Sequence, residues 1–323
     1  MQRNARIYLA GHTGLAGSAI LRALERAGHA NLLLRRHAEL ELTDARAVAA
    51  FFERERPDYV FLAAAKVGGI LANETYPADF IRENLAIQSN VIHEAFRAGV
   101  KRLLFLGSSC IYPRDCAQPI REEYLLTGAL EATNRAYALA KIAGVEMCWS
   151  YNRQHGARFL AAMPTNLYGP GDHYDPQNSH VLPALIRKIH EAKAGGAAQV
   201  TLWGSGRPRR EFLLSDDMAE ACVFLMRLPE ADFARLVAPA QAPLINIGAG
   251  TDQSIAELAA LVAEILGYRG AFIYDASKPD GTPRKLLDSS RLNALGWQPR
   301  GGLREGIALA YRDFLQRPRR DAM

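Results

Sequence analysis

The chain has 323 residues, of which 49% are hydrophobic and 23% charged, values that fit a globular protein of about two domains and exclude disordered, fibrous and membrane-spanning classes. A formal charge of +5 arises from 39 basic residues interspersed with 34 acidic ones. With no long basic block, a phosphate-bearing small molecule accounts for the surplus and no nucleic-acid partner is expected.

The first residues run into an apolar segment with neither a signal-peptide core nor a membrane-length stretch, so a cytoplasmic protein with no membrane partner is expected. Apolar runs at 6–10, 59–64 and 102–106 alternate with helical patterns at 17–27, 45–55 and 86–98. This βαβ rhythm predicts an α/β fold with a doubly wound, Rossmann-like parallel sheet, helices on both faces and ligands at the carboxyl ends of the strands.

The first strand leads into Gly11-His12-Thr13-Gly14-Leu15-Ala16-Gly17 and then an amphipathic helix. Glycines at that spacing permit a tight turn and close backbone approach, while the helix N-terminus offers free N–H groups to a pyrophosphate. After the next strand stand Arg35-Arg36-His37, where an NAD binder usually carries an acidic residue for the ribose hydroxyls. Arginine there suits a 2′-phosphate, which favours NADP(H) and makes Arg36 a candidate contact; a solvated basic loop is the plainer alternative.

Run 102–106 ends in Gly107-Ser108-Ser109-Cys110-Ile111-Tyr112-Pro113, which places hydroxyls and a thiol where chemistry is expected. Further on, Tyr137-Ala138-Leu139-Ala140-Lys141 sets a phenol and an ammonium at i and i+4 on one helix face. A free phenol titrates near ~10, and a nearby ammonium stabilises its phenolate. Tyr137 is thus a candidate proton donor to a carbonyl receiving hydride, with Ser108 hydrogen-bonding the same oxygen. Alone, each motif also fits a helix surface or a turn; their order along the chain points to a reductase. Cys110, Cys116, Cys148 and Cys222 show neither zinc-ligand spacing nor a paired framework, so neither metal nor disulfides are expected.

A loop dense in Gly, Pro, Asp and Asn at 168–179 marks the start of a second lobe. A helix is predicted at 181–194, strands at 200–203, 211–214 and 244–247, and further helices at 217–227 and 255–266. Residues 1–167 are expected to form the nucleotide domain, with returning segments around 210–248. Residues 168–209 and 249–323 would form a smaller α/β substrate-binding lobe at the C-terminal side. Pro318-Arg319-Arg320 reads as a frayed tail.

Four stretches carry a family resemblance: Ala64-Ala65-Lys66-Val67-Gly68-Gly69-Ile70, the Gly107–Pro113 segment, Met163-Pro164-Thr165-Asn166-Leu167-Tyr168-Gly169-Pro170, and Asp275-Ala276-Ser277-Lys278-Pro279-Asp280-Gly281-Thr282-Pro283-Arg284-Lys285. From Arg6 to about Phe314 the chain resembles the GDP-L-fucose synthases, extended short-chain dehydrogenases/reductases. The resemblance implies epimerisation of GDP-4-keto-6-deoxy-D-mannose at C3 and C5, then NADPH reduction of its C4 ketone. It assigns Ser108, Tyr137 and Lys141 to the ketone, and Cys110 with His180 to the proton transfers. Reference pKa values of ~8.5 and ~6.5 put a thiol and an imidazole in range.

Cofactor contacts implied by the resemblance are Gly11, Thr13, Gly14, Leu15, Ala16, Gly17, Ala63, Ala64, Leu106, Gly107, Ser108, Tyr137, Lys141, Pro164, Thr165, Asn166, Leu167 and His180. For the GDP-sugar they are Asn166, Lys188, Trp203, Arg210, Lys278 and Asp280. A homodimer through helices on one sheet face is implied as well. Thr13 and Lys188 depart from better-known bacterial relatives, which carry arginine there; Lys188 keeps charge but loses the planar fork. Three alternatives remain open on sequence. One is a sister enzyme such as a GDP-L-colitose synthase. A second is a 4,6-dehydratase or 4-epimerase on another nucleotide sugar, against which Cys110 and His180 argue. The third is a non-catalytic NADP-sensing regulator, against which Tyr137 and Lys141 argue.

Overall fold

The computed structural model describes residues 1–175, 179–278 and 280–316; Pro279 and the 318–320 tail read above lie outside them. In chain order the first part comprises β1 (Ile7–Ala10), α1 (Leu15–Arg26), β2 (Leu32–Leu33), α2 (Ala45–Glu55), β3 (Tyr59–Leu62), α3 (Ile70–Thr75), α4 (Pro77–Arg97), β4 (Arg102–Leu106), α5 (Arg135–His155) and β5 (Phe159–Pro164). Next come β6 (Asn166–Tyr168), α6 (Val181–Ala194), β7 (Gln199–Trp203), β8 (Arg209–Leu214), α7 (Ser215–Arg227), α8 (Glu230–Leu236) and β9 (Leu244–Ile247). The chain closes with β10 (Asp252–Ser254), α9 (Ile255–Leu266), β11 (Ala271–Asp275), β12 (Arg284–Lys285), α10 (Ser290–Ala294) and α11 (Leu303–Gln316).

Six parallel strands form the main sheet in the order β2-β1-β3-β4-β5-β9. Alternation along β1 explains why both faces are covered: Ile7 and Leu9 point into one core, Tyr8 and Ala10 into the other. The first core holds Ile20 and Leu24 of α1 against Met218, Cys222 and Leu225 of α7. The second holds Phe51 and Phe52 of α2, Val91 and Ile92 of α4, and Val145 and Cys148 of α5. Strand order reverses at β1, with β2 on one side and β3 on the other, and this opens a crevice at the carboxyl ends of the strands.

The lobe has its own core of Leu182, Leu185, Ile186 and Ile189 from α6, Leu258 and Val262 from α9, and Ile307 from α11. Helix α9 opens with a capping box between Ser254 and Glu257. Strand β7 pairs with β11, and β8 pairs with β6, β10 and β12.

One buried residue staples lobe to sheet. Glu211 of β8 is 0% exposed, and its carboxylate accepts the N–H groups of Gly250 at 2.7 Å and Leu287 at 3.0 Å. Its carbonyl oxygen accepts Thr165 Oγ1 at 3.2 Å and Asn166 Nδ2 at 2.8 Å. Burial raises its pKa, and the donated N–H bonds oppose that rise. Among the described residues, no helix is long and apolar enough to cross a membrane.

Candidate active site at the strand ends

A cleft of about 1050 Å³ runs along the carboxyl ends of the main sheet and continues under the lobe. Its floor begins at the glycine turn. A Cβ on Gly11 would lie 2.6 Å from the Ala64 nitrogen, and one on Gly17 would collide with the Gly11 carbonyl oxygen, so the fold itself requires both glycines. Gly14 differs: an added Cβ would meet only the Gly11 oxygen, 3.7 Å away, and Gly14 lines the cleft as the uncapped N-cap of α1. A bare helix end beside open space fits a pyrophosphate. The walls above it come from Ala63 and Ala64 after β3, Leu106–Cys110 after β4, and Pro164–Leu167 after β5.

Arg35 and His37 also line this end of the cleft, whereas Arg36 stands off the wall and lowers the pKa of His12. Arg35 pairs with Glu55 at 2.9 Å, and His37 with Glu41 at 2.6 Å.

The reactive groups meet where β4 ends. Ser108 Oγ caps the short turn Ser109–Ile111 and accepts the Cys110 thiol at 3.2 Å. The same hydroxyl interacts with the Tyr137 phenol. Burial raises the Tyr137 pKa, so the phenol is held protonated and ready to donate. Lys141, 2% exposed, does not pair with that phenol. Its Nζ donates to the Leu106 carbonyl at 2.8 Å and sits 5.7 Å from the Tyr137 ring centroid. Burial pushes Lys141 down to about 8.

His180 caps the start of α6 and faces the cleft, where burial and the charge of Lys285 lower its pKa. Asn178, its neighbour in the sequence motif, lies outside the described residues.

Toward the lobe, Lys188 lies 5.1 Å and Lys278 5.4 Å from the Trp203 ring centroid, so two cations flank one indole. Lys188, Trp203 and Arg210 line the cleft; Lys278 reaches it only through Trp203. Asp280 also lines it, but its carboxylate is engaged with the Ser205 N–H and hydroxyl, each at 2.7 Å. Asn166 spends its amide N–H on Glu211.

A model of the NAD dependent epimerase/dehydratase family matches residues 7–238. The GDP-L-fucose synthase of Escherichia coli strain K12 is 54% identical over 96% of this chain and 97% of its own length. GDP-L-fucose synthase 1 of Arabidopsis thaliana is 55% identical over 97% and 94%. The chain belongs to this family, in its GDP-L-fucose synthase branch. A solved GDP-mannoheptose C4 reductase from Campylobacter jejuni with NADP bound matches at a TM-score of 0.88 and 41% identity, covering 98% of this chain and 99% of that one. An NAD(P)-type dinucleotide cleft is therefore a family property, and the residues present fit it.

Glu131, Thr282 and Lys285 also line the cleft, although no motif in the sequence marks a role for them. No local signal marks Lys285. Only the pairing of β12 with β8 sets it opposite Arg210 and turns it toward the reactive groups.

Proposed function

We propose that this chain is an NADPH-dependent epimerase-reductase that converts GDP-4-keto-6-deoxy-D-mannose to GDP-L-fucose. The observation that carries the reading is that Ser108, Cys110, Tyr137 and His180 face one cleft whose far end presents Lys188, Trp203 and Arg210. The first group suits a ketone and the carbons beside it; the second suits a nucleoside diphosphate, with guanidinium on phosphate and indole on a flat apolar face. Arg35 and His37 favour the phosphorylated dinucleotide, and the Campylobacter jejuni relative is solved with NADP bound.

The chemistry divides between the groups. Carbons flanking a ketone lose a proton when the resulting enolate charge rests on an oxygen held by hydrogen-bond donors, here Tyr137 and Ser108. Cys110 and His180 move the protons at those carbons. NADPH, held at the glycine turn, would supply the hydride for C4 when bound; the Tyr137 phenol gives its proton to the C4 oxygen while Ser108 holds that oxygen in place. Lys141 keeps a positive charge beneath the phenol and stabilises the phenolate left behind.

Incubation with NADPH and the 4-keto sugar tests the reading, with product stereochemistry assigned by NMR. The L-fuco configuration is expected. A product reduced at C4 but unchanged at C3 and C5 would mark a C4 reductase instead. Inversion at C5 alone, on a 3-deoxy substrate, would mark the colitose reading.

The same proposal places the protein in the cytoplasm, where nucleotide sugars and NADPH are made. It also makes the protein a homodimer through α4 and α5, which pack side by side over the second core and leave Leu139 39% exposed. Sedimentation at micromolar concentration checks the assembly, and a monomer there would overturn it.

A further inference from the structure

Lys285 is an ammonium that the mechanism above leaves unused. It lines the cleft together with Cys110 and His180, and among the described residues it has neither a hydrogen bond nor an ion pair. Charges of this kind are rarely kept in a protein wall without a partner. The carboxylate nearest to it is not free: Glu131 pairs with Arg114 at 3.4 Å and accepts the Thr282 hydroxyl at 3.5 Å.

The backbone on the C-terminal side of Lys285 is clamped. The Leu286 N–H donates to Gln118 Oε1 at 2.9 Å, the Leu286 carbonyl accepts the Ile120 N–H at 2.7 Å, and the Leu287 N–H donates to buried Glu211 at 3.0 Å. On the other edge, β12 is registered against β8 with Lys285 beside Arg210. Two separate segments, 118–120 and β8, therefore fix where this one side chain starts, which suits a charge that must be aimed.

We propose that Lys285 is a positioning residue for proton transfer, the fixed cation that stabilises Cys110 as a thiolate. The proposal rests on the epimerase reading of the site and deepens it. In the step it serves, the Cys110 thiol first loses its proton to water. The thiolate then takes a proton from the sugar carbon, forming S–H as C–H breaks, and the carbon's electron pair moves to the ketone oxygen. Lys285 acts as an ammonium throughout; desolvation lowers its pKa and the charge on Cys110 opposes that fall.

The groups around the sulfur support the assignment. Burial pushes the Cys110 thiol up, and Lys285 is the strongest influence pulling it back, ahead of Ser108 and Lys141. Tyr137 faces it from α5, neutral at working pH. Around Lys285 stand Arg210 of β8, Glu131 and Cys116. The same cation lowers His180, so it favours a thiolate over an imidazolium in this pair.

The test is the pH profile of Cys110 alkylation by iodoacetamide in the whole folded protein, read peptide by peptide with mass spectrometry. Lys285→Met is expected to move the Cys110 inflection up by about one pH unit, and Lys285→Arg to leave it near the parent value. Lys285→Gln replaces the Met variant if that one does not fold. An unchanged inflection in a folded, uncharged variant overturns the proposal, as does an equal rise in the Arg variant. Because this readout needs no sugar, a wild-type chain that fails to turn over GDP-4-keto-6-deoxymannose would sink the reaction reading separately.

Discussion

Along the sheet side of the cleft, Ser108, Cys110, Tyr137 and Lys141 come from the end of β4 and from one helix, α5. Across the gap, His180, Lys188, Trp203, Arg210 and Lys285 are drawn from α6, β7, β8 and β12. The first wall grows out of a sheet whose strands β1, β4 and β5 are wholly buried and is set by apolar packing. The second is carried on α6, β7, β8 and β12 over the lobe's own apolar core, and polar links through Glu211 tie it to the sheet. Packing fixes position and strips water from the reacting groups, which suits bond-making. The lobe wall presents cations and an indole from α6, β7 and β8, which suits recognition.

Substitutions on the two walls should therefore differ in kind. The largest effect is expected at Tyr137→Phe, which should slow NADPH oxidation with the keto sugar by about 10²- to 10⁴-fold while thermal unfolding barely moves. A loss under tenfold would break the contrast. Next comes the glycine turn. Gly17→Ala should cost about 1–3 kcal/mol in denaturant unfolding because its Cβ meets the Gly11 carbonyl. Gly14→Ala should leave the midpoint in place and weaken NADPH binding instead. Equal destabilisation by the two would show that Gly14 serves the fold rather than a ligand.

Lys141 gives a pH signature. Burial pushes it down to about 8, so it is an ammonium below that pH and neutral above it. The kcat/KM for reduction should fall as pH rises through about 8, and Lys141→Arg should move that limb to higher pH. A limb unmoved in the arginine variant would assign it to another group. On the recognition wall effects should be smaller. Trp203→Ala should raise KM about tenfold with kcat nearly constant, and Lys188→Arg should change KM less than that. A collapse of kcat in Trp203→Ala would move the indole from recognition into chemistry.

The sheet wall was largely legible in the sequence because its signals are local. Run 102–106 coincides with β4, and the 45–55 pattern with α2. The YxxxK spacing needs only one helix to bring its residues onto one face. In the lobe, 181–194 and 255–266 coincide with α6 and α9, and in the main sheet 244–247 coincides with β9. Strands β10, β11 and β12 escaped because they are short or lie largely at the surface, with no clean alternation to read.

Two features needed tertiary register. Sequence order names Arg36 as a candidate phosphate contact, and the structure adds that its neighbours Arg35 and His37 line the cleft. The i,i+4 spacing sets an ammonium on the phenol's helix face, and the structure adds that its Nζ donates to the Leu106 carbonyl. Lys285 belongs to the same class, since its neighbours Cys110, Glu131 and Arg210 all come from distant parts of the chain.

That one cleft carries both proton shuffling and hydride delivery is tested most directly in deuterated water, by following solvent deuterium at C3 and C5 of the sugar alongside NADPH oxidation. Cys110→Ser is expected to lose deuterium incorporation yet still reduce an already epimerised ketone at close to the parent rate. Parallel loss of both activities in a folded Cys110→Ser protein would contradict the division between the thiol and the phenol.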